Sequence, residues 1–192
     1  YRMQIDTSGL VDTVQFIASP NCDERPADTE INLLVIHNIS LPPNQFGGTG
    51  VIDLFTNQID PQAHFYYQSL QGLKVSAHFF IRRDGVIIQF VPCTKRAWHA
   101  GISRWQGKEC CNDFSIGIEL EGSDTTPVTD NQYSSLLALT RCLCNQYSIR
   151  HIAGHADIAP GRKTDPGPYF DWKKYASGLG EKKLFNAIQN FL

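Results

Sequence analysis

The chain has no run approaching the ~18 consecutive apolar residues that a membrane-spanning helix needs, and its 192 residues carry a formal net charge of only −2. The first absence excludes a helical membrane protein. The second removes the basic excess with which nucleic-acid binders neutralise phosphates, so neither a membrane nor a nucleic-acid partner is expected. Internal repeats and low-complexity tracts are also missing, and the stretch YRMQIDTSGLVDT shows no basic-then-apolar secretion signal. Six cysteines include no CxxC pair: Cys110 and Cys111 are adjacent, and Cys142 and Cys144 fall within a predicted helix. This spacing disfavours a disulfide framework or a cysteine metal cluster, and favours reduced, packed thiols in a cytoplasmic protein.

What is present describes a globular chain, with 42% hydrophobic and 19% charged residues. Its length suits one domain with a full core and is too short for two. Residues 32–38 are apolar on both faces until His37 and Asn38 emerge at the end, the pattern of a central buried strand. VSAHFFIRRDGVIIQFV (75–91) reads as a hairpin about Asp84-Gly85. In FSIGIELEG (114–122), Ile116, Ile118 and Leu120 share one strand face, while Gly117, Glu119 and Glu121 share the other.

Thr129 followed by Gln132 fits a capping box, and Tyr133, Leu136, Leu137, Thr140, Leu143, Cys144 and Tyr147 follow at helical spacing. A short strand at 149–154 is expected to deliver His155 into a Pro- and Gly-punctuated loop. Asp171 is placed to cap a further short helix, and LFNAIQNFL reads as a terminal amphipathic helix, making about 181–192 an appendage. Between 39 and 73 the periodicity fades; a long irregular connection of this kind covers a site or moves over it. The expectation is one mixed α/β domain over residues 1–192, with a central mixed β-sheet flanked by helices.

Chemistry concentrates in HADIAPGRKTDPGP (155–168), where one His, two Asp and a Lys crowd together. His37 alone could be a satisfied core imidazole. With His155 and a carboxylate it completes a set of two imidazoles and one acid that suits Zn2+ and leaves a fourth position for water. Asp157 competes with Asp165 for the carboxylate role, but a short Asp two residues beyond His155 is well placed to hold the turn through backbone hydrogen bonds. Asp165 is the choice. His78 is expected to be packed, and His151 structural.

Hydrolysis of an amide needs an activated water, a proton carrier and positive charge at the oxyanion. Glu119 on its polar strand face suits the second task and Lys163 the third, although an isolated Glu or Lys is ordinarily a solvated charge. In AWHAGISRWQG, Trp98, His99 and Trp105 form an aromatic, polar cluster that could cover a sugar ring, with core packing an equal alternative.

The segments VIHNISLPP, FGG, IDPQAH, VSAHFFIRRDG, KRAWHAG, CNDFSIGIELEG and GHADIAPGRKTDPGP span nearly the whole chain. Through them it resembles the zinc N-acetylmuramyl-L-alanine amidases, and within that family the branch that cleaves 1,6-anhydro-N-acetylmuramyl peptides during cell-wall recycling. The resemblance implies the mixed-sheet fold shared with peptidoglycan-recognition proteins. It implies His37, His155 and Asp165 as Zn2+ ligands, Glu119 as catalytic acid/base and Lys163 as oxyanion stabiliser.

Other members offer Cys as third ligand and Tyr before the hairpin His, where this chain has Asp165 and Ala77; that difference points to the anhydro-muropeptide branch. Asn38, Lys74, Trp98, Trp105 and Cys110 are the expected substrate contacts. Lys74 and Cys110 stand where arginines receiving stem-peptide carboxylates are expected, so peptide selectivity is where this chain should depart. A cytoplasmic monomer acting on muropeptide is expected. The competing readings are a periplasmic amidase acting on intact wall and a non-catalytic peptidoglycan-binding module.

Overall fold

A computed structural model of the chain describes residues 3–180. The strands are Gln15–Phe16 (β1), Cys22–Glu24 (β2), Leu33–Ile39 (β3), Phe79–Ile81 (β4), Ile87–Gln89 (β5), Lys95–Ala97 (β6), Arg104–Trp105 (β7), Lys108–Glu109 (β8), Ser115–Glu121 (β9) and His151–Gly154 (β10). The α-helices are Gly50–Phe55 (α1), Asp130–Gln146 (α2), His155–Ile158 (α3) and Trp172–Leu179 (α4). Six strands form a mixed sheet in the order β1-β5-β4-β9-β3-β10; β4 and β5 are antiparallel, and every other pairing is parallel. The hairpin turns at Asp84-Gly85, where Gly85 adopts φ +89°, a value only glycine reaches without strain.

Alternation along β3 sorts its side chains to two sides of the sheet. Leu34 and Ile36 join Ile116, Ile118 and Leu120 of β9 in a core with Leu136, Leu139 and Leu143 of α2. Leu33 and Val35 point the other way, into a smaller core with Ala100, Phe114, Ala153 and Ile158. His37 shares that second face, because residues two apart on a strand do. A third core joins Leu54 and Phe55 of α1 to Phe80, Ile88 and Phe90.

The capping box of α2 is present: Thr129 Oγ1 accepts from Gln132 N at 3.1 Å, and Gln132 Oε1 accepts from Thr129 N at 3.1 Å. Leu139 and Cys142 lie on its buried face, while Leu137 and Cys144 are only partly buried, so the helix is rotated slightly from the sequence reading. Asp171 caps α4 by accepting from Lys174 N at 2.9 Å.

Two expectations change. The 39–73 connection is not structureless: it contains α1 and a 3-10 helix, Phe65–Leu70, both too short to leave a periodic trace in sequence. His155 opens α3 rather than a loop. The segment at about 181–192, expected to be helical, lies outside the described residues. Cys22, Cys93, Cys110 and Cys111 are free thiols, and no helix among the described residues is long and apolar enough to cross a membrane.

Candidate active site

Register between parallel strands assembles the site. On β3 and β9, His37 pairs directly with Glu119; on β10, Gly154 pairs with Ile36, so His155 follows beside His37. Three neighbouring strands thus deliver their chemistry towards their carboxyl ends, where open α/β sheets place ligands. Asp165 arrives by a returning loop whose closure is the hydrogen bond from Ala156 N to Asp165 O at 2.9 Å. The spacing between His155 and Asp165 is therefore a measured excursion around residues 159–164. Asp157 does not join the cluster; its Oδ2 accepts from Gly154 N at 2.6 Å and fastens the start of α3.

The donor atoms converge closely. Nδ1 of His37 lies 2.9 Å from Nδ1 of His155, and each lies 3.2 Å from Oδ2 of Asp165. Metal–ligand bonds of about 2.0–2.1 Å place the corners of a tetrahedron about 3.3 Å apart, so the set fits a small tetrahedral cation. Tautomers agree with this. His155 Nε2 donates to Ala100 O at 3.0 Å, which turns the Nδ1 lone pair into the cluster. With His37 likewise turned, its Nε2 donates to His99 Nδ1 at 2.9 Å, and His99 Nε2 donates to Ser115 Oγ at 3.1 Å.

Electrostatics also suit a cation. Burial lowers His37 from 6.5 to about 4, keeping the imidazole neutral. Burial alone would raise Asp165, but the two imidazoles beside it outweigh that effect and hold the carboxyl below its ordinary range. Glu119 Oε1 lies 3.8 Å from His37 Nδ1. Burial pushes Glu119 well above the usual carboxylate value, the Asp165 charge adds to this, and Lys163 opposes it. Oε2 of Glu119 is buried and has no hydrogen-bond partner among the described residues, an arrangement that is costly until a ligand presents a donor.

Glu119, His155 and Asp165 open into a cleft of about 860 Å³, which also takes in Asn38, Lys74, Trp98 and Lys163. One wall comes from the 39–73 segment, including Pro43, Asn44, Tyr66, Leu70 and Leu73. Asn38 is already engaged, donating to Asp124 Oδ1 at 2.7 Å and Pro166 O at 3.0 Å, so it braces the Asp165 loop.

Two expected substrate contacts lie elsewhere. Trp105 packs against the smaller core under β10, its ring centroid 5.8 Å from that of His151, because β7 turns it inward. Cys110, at φ 57°, borders a separate hollow of about 520 Å³ with Ile102, Arg104, Glu109 and Pro160. Gly101 and Arg162 divide that hollow from the cleft.

The sequence reading missed two participants. His99 was placed with the aromatic cluster, yet its ring lies against β9, where a Cβ at Gly117 would overlap it. A glycine amid an apolar strand was the available signal. Asp124, which bonds Asn38 and the Thr164 hydroxyl, carried no sequence signal.

Fold and site together define an amide hydrolase. A family model for N-acetylmuramoyl-L-alanine amidase matches residues 27–168, and the chain belongs to that family. It is 58% identical over 161 residues to the 1,6-anhydro-N-acetylmuramyl-L-alanine amidase AmpD of Escherichia coli, covering 83% of this chain and 88% of that protein. The crystal structure of a selenomethionine derivative of AmpD matches at 53% identity with a TM-score of 0.90, covering 92% of this chain and 99% of the other. The amidase AmiD from E. coli, solved with the substrate anhydro-N-acetylmuramic acid-L-Ala-D-gamma-Glu-L-Lys, matches at 29% identity with a TM-score of 0.58, covering 91% of this chain and 65% of the other.

Proposed function

We propose that this amidase hydrolyses the amide between 1,6-anhydro-N-acetylmuramic acid and the L-Ala of the stem peptide, as a zinc enzyme of muropeptide recycling. The observation that carries the reading is the buried cluster of His37, His155 and Asp165 with Glu119 alongside. Similarity to AmpD over most of both chains supports the substrate, as does the muropeptide bound by AmiD.

His37, His155 and Asp165 would hold Zn2+, which supplies a Lewis acid that acidifies water and polarises a carbonyl. Glu119 takes one proton from the attacking water as the new C–O bond forms. It returns that proton to the lactyl–alanine nitrogen as the C–N bond breaks, and the second water proton, lost as the muramyl carboxyl ionises, is taken up by the released peptide amine, so the products are the muramyl carboxylate and the peptide ammonium. A carboxyl raised by burial suits both halves of this shuttle, since its affinity for protons lies nearer neutrality than that of an exposed Glu. Lys163, whose charge is felt at Glu119, faces the cleft where the oxyanion would develop. Trp98 and Lys74 border the same cleft and would receive the sugar and the stem peptide respectively.

The free thiols of Cys22, Cys93, Cys110 and Cys111 support a reducing, cytoplasmic setting, and a monomer is expected. The test is incubation of the purified protein with anhydro-muropeptide, with and without a chelator, and identification of products by mass. Release of intact stem peptide only without chelator supports the reading; cleavage at another bond, or none in zinc-replete protein, refutes it.

A further inference from the structure

Both imidazoles of the cluster are oriented by one dipeptide. His99 presents Nδ1 to Nε2 of His37 at 2.9 Å, and the next residue, Ala100, presents its carbonyl to Nε2 of His155 at 3.0 Å. The dipeptide is fixed in turn by a single side-chain atom: Asn112 Oδ1 accepts from the backbone N–H of His99 at 3.2 Å and of Ala100 at 2.9 Å. Asn112 sits in a 3-10 helix, Cys111–Asp113. Arg25 holds that turn by donating to the carbonyls of Asn112 at 3.1 Å, Asp113 at 2.9 Å and Ser115 at 2.9 Å. Behind the dipeptide, Gly117 leaves room for the His99 ring that a Cβ at that position would overlap.

We propose that Asn112 is a positioning residue that, through His99 and Ala100, sets the orientation of both His37 and His155 and with it the affinity of the cluster for Zn2+. The proposal rests on the reading of that cluster as a zinc site. Asn112 touches neither imidazole. Its influence follows from geometry: one acceptor fixes two consecutive amides, and those residues carry the two groups that determine which nitrogen of each imidazole faces the cluster. Outer groups of this kind, which fix tautomer and ring orientation, change metal affinity by about 10- to 100-fold when removed.

The experiment measures Zn2+ dissociation constants by competition with a chromophoric chelator, the visible spectrum of the Co2+-substituted protein, and the Tm of the metal-free protein. Asn112→Ala is expected to weaken Zn2+ binding about 10- to 100-fold and shift the Co2+ bands, whereas Asn112→Asp, which keeps the acceptor oxygen, binds at least as tightly as wild type. A purely structural role would lower the Tm in both variants without separating their affinities, and that result overturns the proposal. So does Zn2+ binding by Asn112→Ala within about threefold of wild type, well short of the expected loss.

Should Asn112→Ala not fold, His99→Asn and His99→Leu decide. Asn offers an oxygen where Nδ1 stood and should retain affinity that Leu loses; equal affinities overturn the proposal. Absence of Zn2+ binding by the wild-type protein refutes the metal reading itself, which separates the two failures.

Discussion

At the floor of the cleft Glu119 and His155 are 8% and 5% exposed, with His37 beside them at 1%, whereas along its wall Tyr66 and Leu73 are 37% and 45% exposed. The floor is built on paired strands, and both imidazoles there are held from behind by His99 and the Ala100 carbonyl. The wall is built from short helices and loops, and Pro43, Asn44, Tyr66 and Leu73 along it are exposed. Groups that must hold a cation and move a proton need fixed positions, which only a packed scaffold provides. Groups that grip a variable peptide tolerate less order, so the difference separates reaction from selectivity.

The sharpest test of this division removes a floor residue outright. His155→Ala should lose both bound zinc and all activity, because two remaining ligands do not close the site; full zinc occupancy by elemental analysis would break the comparison at its strongest point. Glu119→Gln should keep zinc and lose about 100-fold or more in turnover, the usual contribution of a positioned acid/base. Near-normal turnover in zinc-replete protein would assign the proton to another group.

Buried imidazoles also make the floor sensitive to acid. Burial lowers His78 from 6.5 to about 3, with the Arg25 charge adding to the effect; its Nδ1 accepts from Gly117 N and its Nε2 donates to Lys95 O. The unfolded chain takes up a proton below pH 6.5 that the native imidazole refuses. Stability from this group is therefore complete above pH 6.5 and declines as pH falls towards 3, by about 1.4 kcal/mol per pH unit. Proton uptake on unfolding at pH 5 should fall by about one in His78→Asn, and an unchanged uptake would show that His78 is charged in the native state.

Wall substitutions should do less. Lys74→Ala should lower kcat/KM on long-stem substrates by up to about tenfold with kcat retained, the effect of one charge-assisted contact at an exposed position. Cys110 stands where the resemblance implies a peptide-binding arginine, yet it borders the neighbouring hollow, so Cys110→Arg should change kcat/KM on such substrates by less than about threefold, within the range of an exposed charge pair. A larger, stem-dependent gain would show that bound peptide extends past Arg162.

The parts legible in sequence are those with a local pattern. Alternation revealed β3 and β9, Asp84-Gly85 revealed the hairpin, and Thr129 with Gln132 marked the start of α2. The convergence of His37, His155 and Asp165 was legible because His37 ends an apolar strand and the 155–168 segment concentrates imidazole and carboxylate chemistry. Helices α1 and α3, of six and four residues, are too short for a period to emerge. His99, Asn112 and Asp124 act through pairings set by tertiary register, and nothing in their immediate neighbours announces it. Trp105 and Cys110 were misplaced for the same reason: residue type suggested binding, but the direction of β7 and of the turn after β8 decided where each side chain went.

The pairing of His37 with Glu119 across two parallel strands has a consequence for how such a protein can change over generations. A one-residue slip of β3 against β9 would exchange the faces of the strand and send His37 into the core position of Ile36, so insertions within these strands are lethal to the chemistry and the packing together. Insertions in the segments that leave the carboxyl ends of the strands disturb no pairing at all. A lineage can therefore lengthen, shorten or recompose its cleft wall, acquiring new substrates, while the reacting centre is inherited intact.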